Sequence, residues 1–192
     1  AGMRVDLKPE LAERAIDIVG TGGDNSNTVN VSTMSALVVA GAGVPVCKHG
    51  NRAASSKCGA ADLLEEAGVA IELDPHGVEA CVVETGFGFC LAAKFHPAFR
   101  YTGPSRREIG VPTAFNLLGP MANPAPIANM LVGVAMPNMM AAMTGALSTR
   151  GVTSAWVVHG HGGLDELAVS GPNTVFELKD GTVTQFEINA KE

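Results

Sequence analysis

Four short runs carry the groups that could do chemistry. The first is Gly20-Thr21-Gly22-Gly23-Asp24-Asn25-Ser26-Asn27-Thr28-Val29-Asn30-Val31-Ser32-Thr33. Its glycines allow backbone N–H groups to converge on an anion, and a helix starting beyond them adds a favourable dipole. The hydroxyl and amide side chains that follow can bond phosphate or ribose oxygens. The spacing matches neither G-x-G-x-x-G nor G-K-[ST], so neither dinucleotide nor P-loop chemistry is indicated. A polar turn with a helix N-cap is the plainer reading of the same residues.

The second run is Lys48-His49-Gly50-Asn51-Arg52-Ala53-Ala54-Ser55-Ser56. Two cations, an amide and two hydroxyls lie together, and a strand ending just before them would put them at the mouth of a parallel sheet, where ligands bind. A lysine there is a mobile point charge for phosphate. The alternative is a solvated loop with Ser55 or Ser56 capping the next helix, and His49 alone reads as structural because no carboxylate partner is visible. The third run, Arg106-Arg107-Glu108, offers a guanidinium fork for a carboxylate, or else a salt-bridged surface face of a short helix. In the fourth, His159-Gly160-His161-Gly162-Gly163-Leu164-Asp165-Glu166, adjacent carboxylates suit Mg²⁺ held with water and phosphate oxygens. The two histidines lack a third ligand at zinc-like spacing. Helix-start charge is the other explanation of Asp165 and Glu166.

These runs need a scaffold that brings strand ends together. Apolar runs at Ala15–Val19, Val44–Cys47, Phe87–Leu91, Met130–Val134 and Ala155–Val158 predict strands. They alternate with helical patterns that start near Ser32, at Ala60 and Pro75, and at Asn138. That order predicts an α/β fold with a mostly parallel sheet flanked by helices. Asp180-Gly181 between two alternating runs predicts a closing hairpin. From Ala93 to Pro126, prolines and glycines interrupt every period. Long irregular stretches of this kind are usually functional.

The 192 residues suit one domain, taken as residues 1–192. A 46% hydrophobic and 17% charged composition excludes disorder, and a net charge of −6 gives no basic footprint for nucleic acid. The longest apolar run, Ala36 to Cys47, falls well short of the roughly 20 residues that span a bilayer. No secretory leader is visible, and the four cysteines form no C-x-x-C pair. A soluble cytoplasmic protein is expected, with no nucleic-acid or membrane partner.

Gly20-Thr21-Gly22-Gly23-Asp24, Lys48-His49-Gly50-Asn51-Arg52, and Arg106-Arg107-Glu108-Ile109-Gly110 followed by Phe115-Asn116-Leu117-Leu118-Gly119-Pro120 resemble, in order and spacing, the anthranilate phosphoribosyltransferase family. The resemblance extends from about Ile16 to the end. Gly-Asn-Arg after the lysine separates it from pyrimidine nucleoside phosphorylases of similar fold, the runner-up; a non-catalytic phosphate-ligand-binding relative is the other alternative. The resemblance implies transfer of the 5-phosphoribosyl group from phosphoribosyl diphosphate to anthranilate in tryptophan biosynthesis. It implies donor contacts from Gly20, Gly23, Asp24, Thr28, Asn30, Val31, Ser32 and Thr33, and from Lys48 through Ser56. Asn51 and Arg106 would contact anthranilate, and Ser32, Asp165 and Glu166 would hold Mg²⁺. Two departures stand out. Ala60 replaces a common serine at the donor site, and His161-Gly162 replace two acidic residues. The family also has an N-terminal helical segment and a C-terminal part that this sequence is expected to lack. The full-length form is expected to be a homodimer, and the chain alone is expected to turn over poorly.

Overall fold

The computed structural model describes residues 2–24, 26, 28–53, 58–102, 105, 108–109 and 113–190. A seven-stranded sheet runs in the order β3-β2-β1-β4-β5-β6-β7. Its strands are β1 (Ile16–Gly20), β2 (Val46–Gly50), β3 (Phe87–Leu91), β4 (Asn129–Gly133), β5 (Ser154–His159), β6 (Gly171–Lys179) and β7 (Thr182–Ala190). The first five are parallel, and β6 and β7 continue the sheet antiparallel. Helices are α1 (Pro9–Ala12), α2 (Val31–Gly41), α3 (Ala60–Glu66), α4 (Pro75–Thr85), α5 (Ala92–Phe95), α6 (Ala114–Leu118) and α7 (Met140–Thr149).

Alternation along the strands sends side chains to two helical layers. Ile18 and Val46 pack with Ala36 of α2, and Phe89 and Leu91 pack with Ala61 and Leu64 of α3. On the opposite face Cys47, Cys90, Val132 and Val157 join Val78 and Val82 of α4 and Met140, Met143 and Leu147 of α7. Each fully buried aliphatic side chain contributes about 1.5–3 kcal/mol.

Local signals set several boundaries. Gly86 stops α4 in the left-handed conformation at φ 77°. Asp180 (φ 47°) and Gly181 (φ 79°) make the expected β6–β7 turn, where paired positive φ values match the strand twist. Other boundaries move. Asn30, not Ser32, caps α2, its side chain accepting from the Thr33 N–H at 3.2 Å. α7 begins at Met140, after a 3₁₀ turn at Pro137–Met139. The N-cap of α3 is Gly59. No helix follows Asp165 and Glu166, which lead through a loop into β6.

The largest shift concerns β2. It runs from Val46 through Gly50, so Lys48 and His49 are buried strand residues and not part of a following loop. Pro45 sits just outside, where its carbonyl accepts from the Ile16 N–H at 2.9 Å. The segment after α5 holds a 3₁₀ turn (Pro97–Tyr101) and α6. Among the described residues, no helix is long and apolar enough to cross a membrane.

Candidate active site

A cavity of about 390 Å³ opens where the chain leaves the carboxyl ends of β1 and β2. Its floor depends on missing side chains. A Cβ on Gly133 would overlap the Asp165 carbonyl oxygen, and one on Gly20 would overlap the Asp165 carboxylate. The two strand ends thus leave room for the Asp165-Glu166 segment to cross them. Asp165 Oδ2 accepts from the Gly22 N–H at 2.6 Å, locking that segment to the glycine loop. Gly22 (φ 66°) and Gly23 (φ 82°) bend the loop through conformations that other residues rarely adopt.

Three carboxylates, Asp24, Asp165 and Glu166, line this end of the cavity. Burial raises Asp165, and the facing Asp24 raises it further. For Asp24, burial acts upward, but bonds from the Ser26 hydroxyl and N–H win and hold it below its ordinary value. Glu166 is pushed up to about 7, chiefly by burial and then by Asp165, while Lys48 and the Ser32 N–H act downward. Crowded, oxygen-only donors of this kind fit a hard divalent cation that keeps waters and phosphate oxygens as further ligands. Among the described residues, no three His, Cys, Asp or Glu side chains close on one point, so protein ligands alone do not complete such a site. His159 bonds the Val134 carbonyl through Nδ1 at 2.7 Å, and the His161 ring lies against Gly171.

Lys48 is not a mobile surface charge. It is 1% exposed, lines the cavity from β2, and donates to the Ile18 carbonyl and weakly to Ser32 Oγ at 3.5 Å. Burial lowers its pKa, whereas Asp17 and Glu166 oppose that shift. Thr28, Asn30, Val31 and Ser32 line the wall at the start of α2. Thr33 lies one residue deeper, buried and with no partner for its hydroxyl among the described residues.

Arg52 is placed differently from a free phosphate ligand. Its guanidinium forks onto Glu65 at 2.6 and 2.9 Å and reaches Asp62 at 3.3 Å, which strengthens its hold on its proton. Asp62 also accepts from the Ala53 and Gly59 N–H groups, both at 2.8 Å, closing the loop onto α3. Gly50, Asn51, Ala53 and Ala60 line the cavity beside it. Ala54, Ser55, Ser56 and Arg106 lie outside the described residues.

The other end of the cavity is aromatic, and its residues come largely from the segment whose periodicity was unreadable. His49 meets His96 edge-on at 5.3 Å, His96 stacks on Phe99 at 5.3 Å, and Phe99 meets Phe115 edge-on at 5.9 Å. His49, Phe99 and Phe115 face the cavity, and His96 is anchored to the Ala122 carbonyl at 2.6 Å. His49 Nε2 is buried with no hydrogen-bond partner among the described residues. Burial, then His96, lowers its pKa to about 3, so the imidazole is neutral. The dense aromatic and histidine content of 95–101 was the signal for this wall; only the tertiary fold turns it inward.

A mostly parallel sheet flanked by helices, with a glycine loop, a buried lysine and crossing carboxylates at its strand ends, defines an α/β protein with one cavity that is polar at one end and aromatic at the other. The chain belongs to the glycosyl transferase family, matching its a/b domain over residues 12–192. It is 52% identical over 190 residues to anthranilate phosphoribosyltransferase of Salinispora arenicola, covering 99% of this chain and 54% of that protein. The crystal structure of anthranilate phosphoribosyltransferase from Thermus thermophilus superposes with a TM-score of 0.86 at 46% identity, over 98% of this chain and 54% of that one. The Saccharomyces cerevisiae enzyme in complex with PRPP and Mg gives a TM-score of 0.86 at 33% identity, over 100% and 54%. The chain spans about half the length of the curated relatives it matches.

Proposed function

We propose that this chain is the α/β part of an anthranilate phosphoribosyltransferase. It would transfer the 5-phosphoribosyl group from phosphoribosyl diphosphate to the amine of anthranilate, releasing diphosphate, in tryptophan biosynthesis. The observation that carries this reading is one cavity with two chemically distinct ends. Its first end has the Gly20–Asp24 loop, Lys48 and the Asp165-Glu166 carboxylates; its second has His49, Phe99 and Phe115. Relatives named for this reaction support it, and the Saccharomyces cerevisiae enzyme also exists in complex with 4-fluoroanthranilate.

In this reading Gly20, Gly23, Asp24, Thr28 and residues Asn30 to Ser32 hold the donor, with Thr33 packed behind them; Lys48 and residues 50–56 continue around it, Arg52 bracing that loop on α3, and His49 faces the acceptor end. Ser32, Asp165 and Glu166 hold Mg²⁺, which when bound neutralises charge on the diphosphate. Lys48 adds a fixed, buried positive charge beside the leaving group. An aromatic amine is already neutral near pH 7, so attack at the anomeric carbon needs no strong base, and no covalent nucleophile is assigned. Asn51 and Arg106 orient the acceptor, with the Arg106 fork on its carboxylate. The enzyme is cytoplasmic and its full-length form homodimeric.

Calorimetry of this chain with phosphoribosyl diphosphate and Mg²⁺, paired with an anthranilate turnover assay on the full-length form, tests the reading. Arg106→Ala is expected to raise KM for anthranilate about tenfold to a hundredfold, the worth of a charge-assisted contact of about 1.5–3 kcal/mol, and to leave the donor KM nearly unchanged. Failure to bind phosphoribosyl diphosphate overturns the proposal. Binding without turnover by the full-length form would make the protein a ligand-binding relative.

A further inference from the structure

Beside the cavity, two neighbouring strands part. β1 and β4 are matched at five consecutive pairs, from Ile16/Asn129 to Gly20/Gly133, and β2 and β3 at five, from Val46/Phe87 to Gly50/Leu91. β1 and β2 meet only at Ile16/Val46. The next rung of a parallel ladder would join the Ile18 N–H to the Cys47 carbonyl and the His49 N–H to the Ile18 carbonyl.

Side chains bond three of those four backbone groups instead. The Asp17 carboxylate accepts from the His49 N–H at 3.2 Å. Asn123 Nδ2 donates to the Cys47 carbonyl at 2.8 Å and to Asp17 Oδ2 at 2.8 Å. Lys48 Nζ donates to the Ile18 carbonyl. The Asn123 amide is itself oriented, because its Oδ1 accepts from the Ala125 N–H at 2.9 Å. Asp17, Lys48 and Asn123 are all buried, where a half-satisfied polar network would be costly. Side-chain partners on three of the rung's four groups mark a built opening and not a frayed strand end. Asp17 and Asn123 do not line the cavity, but Lys48 does.

We propose that Asp17 and Asn123 are positioning residues that wedge β2 away from β1 and thereby seat the Lys48 ammonium at the ligand cavity. The proposal rests on reading that cavity as a phosphoribosyl diphosphate site. Without the wedge, the His49 N–H and Ile18 carbonyl pair directly, Lys48 loses its backbone acceptor, and its ammonium leaves the cavity wall.

A double-mutant cycle tests this on the intact chain. Phosphoribosyl diphosphate with Mg²⁺ is titrated into wild type, Asp17→Ala, Lys48→Met and the double variant. Each single variant should lose about tenfold in affinity, and the double variant should bind no more weakly than Lys48→Met, because Asp17 acts through Lys48. Additive losses would overturn the proposal. A second readout needs no ligand: the trans-hydrogen-bond NMR coupling between the His49 amide nitrogen and the Ile18 carbonyl carbon. It should be absent in wild type and present in Asp17→Ala. A coupling in wild type, or none in the variant, would overturn the wedge. If Asp17→Ala does not fold, Asp17→Val, which also removes the acceptor for the His49 N–H but fills more of the buried space, serves in both experiments. If wild type does not bind the donor, the cavity reading fails, while the coupling still decides the wedge.

Discussion

The two sides of β1 are built on opposite principles. Toward β4, β5, β6 and β7 the ladder is continuous and its buried positions are mostly apolar, including Val132, Val157, Val175 and Leu178, with Asn173 the polar exception. Toward β2 the ladder breaks after one pair, and the buried set includes Asp17, Lys48, His49 and Asn123. The first side carries stability, because apolar burial and matched backbone bonds agree there. The second departs from those local rules next to the cavity, where departures are expected to serve function. Gly20 and Gly133 join the two sides, since the segment bearing Asp165 and Glu166 crosses the strand ends above them.

The comparison can be broken most severely at that crossing. In Gly133→Ala the new methyl group meets backbone and not a flexible side chain, so the cost should exceed the 1–3 kcal/mol of ordinary overpacking. Mg²⁺-dependent donor binding should be abolished, as read by calorimetry on whatever folded protein remains. Retained binding would show that the carboxylates do not need that depth. Truncation in the regular half should separate stability from function. Leu147→Ala, at a fully buried position on α7, should cost about 2–5 kcal/mol in urea denaturation and leave the folded chain's donor affinity unchanged.

A smaller effect comes from pH. Burial, then the neighbouring His96, depresses His49 from 6.5 to about 3. As pH falls below 6.5, the unfolded chain takes up a proton that the folded chain refuses, so stability is lost on acidification. Asp17 works in the opposite sense. Burial raises its carboxyl from 3.8 to about 6, so its contribution is fully present below pH 3.8 and is lost as pH rises through 6. His49→Asn should therefore gain on wild type, relative to their difference at pH 7, by on the order of 3 kcal/mol at pH 4. Parallel pH–stability curves for the two proteins would contradict a buried neutral imidazole.

The least effect is expected at Arg52, although its position in the Gly-Asn-Arg run suggests a ligand contact. Its fork is taken up by Glu65 and Asp62 at the surface. Exposed pairs contribute little, so Arg52→Met should change donor affinity by less than about threefold. A much larger loss would mean that the arginine leaves α3 when ligand binds.

Much of the scaffold was legible because its signals are local. Phe87–Leu91 is a strand as its apolar run predicts, Gly86 stops the preceding helix, and Asp180-Gly181 turns the hairpin. The glycine loop and the Asp165-Glu166 pair were also legible as polar groups following strands. Burial pattern and glycine conformation are properties of short windows, so the sequence alone determined the alternating α/β order and the segments that surround the cavity. Only the tertiary structure decided where β2 ends, and so that Lys48 and His49 are interior. The bond acceptors and donors responsible are distant: Asn123 lies 106 positions from Asp17 and 76 from Cys47. The need for glycine at 133 likewise has no local cause, because the obstructing atom belongs to Asp165. Periodicity records which residues are apolar, whereas a parted ladder and a shifted carboxyl pKa depend on which distant groups share the same buried space.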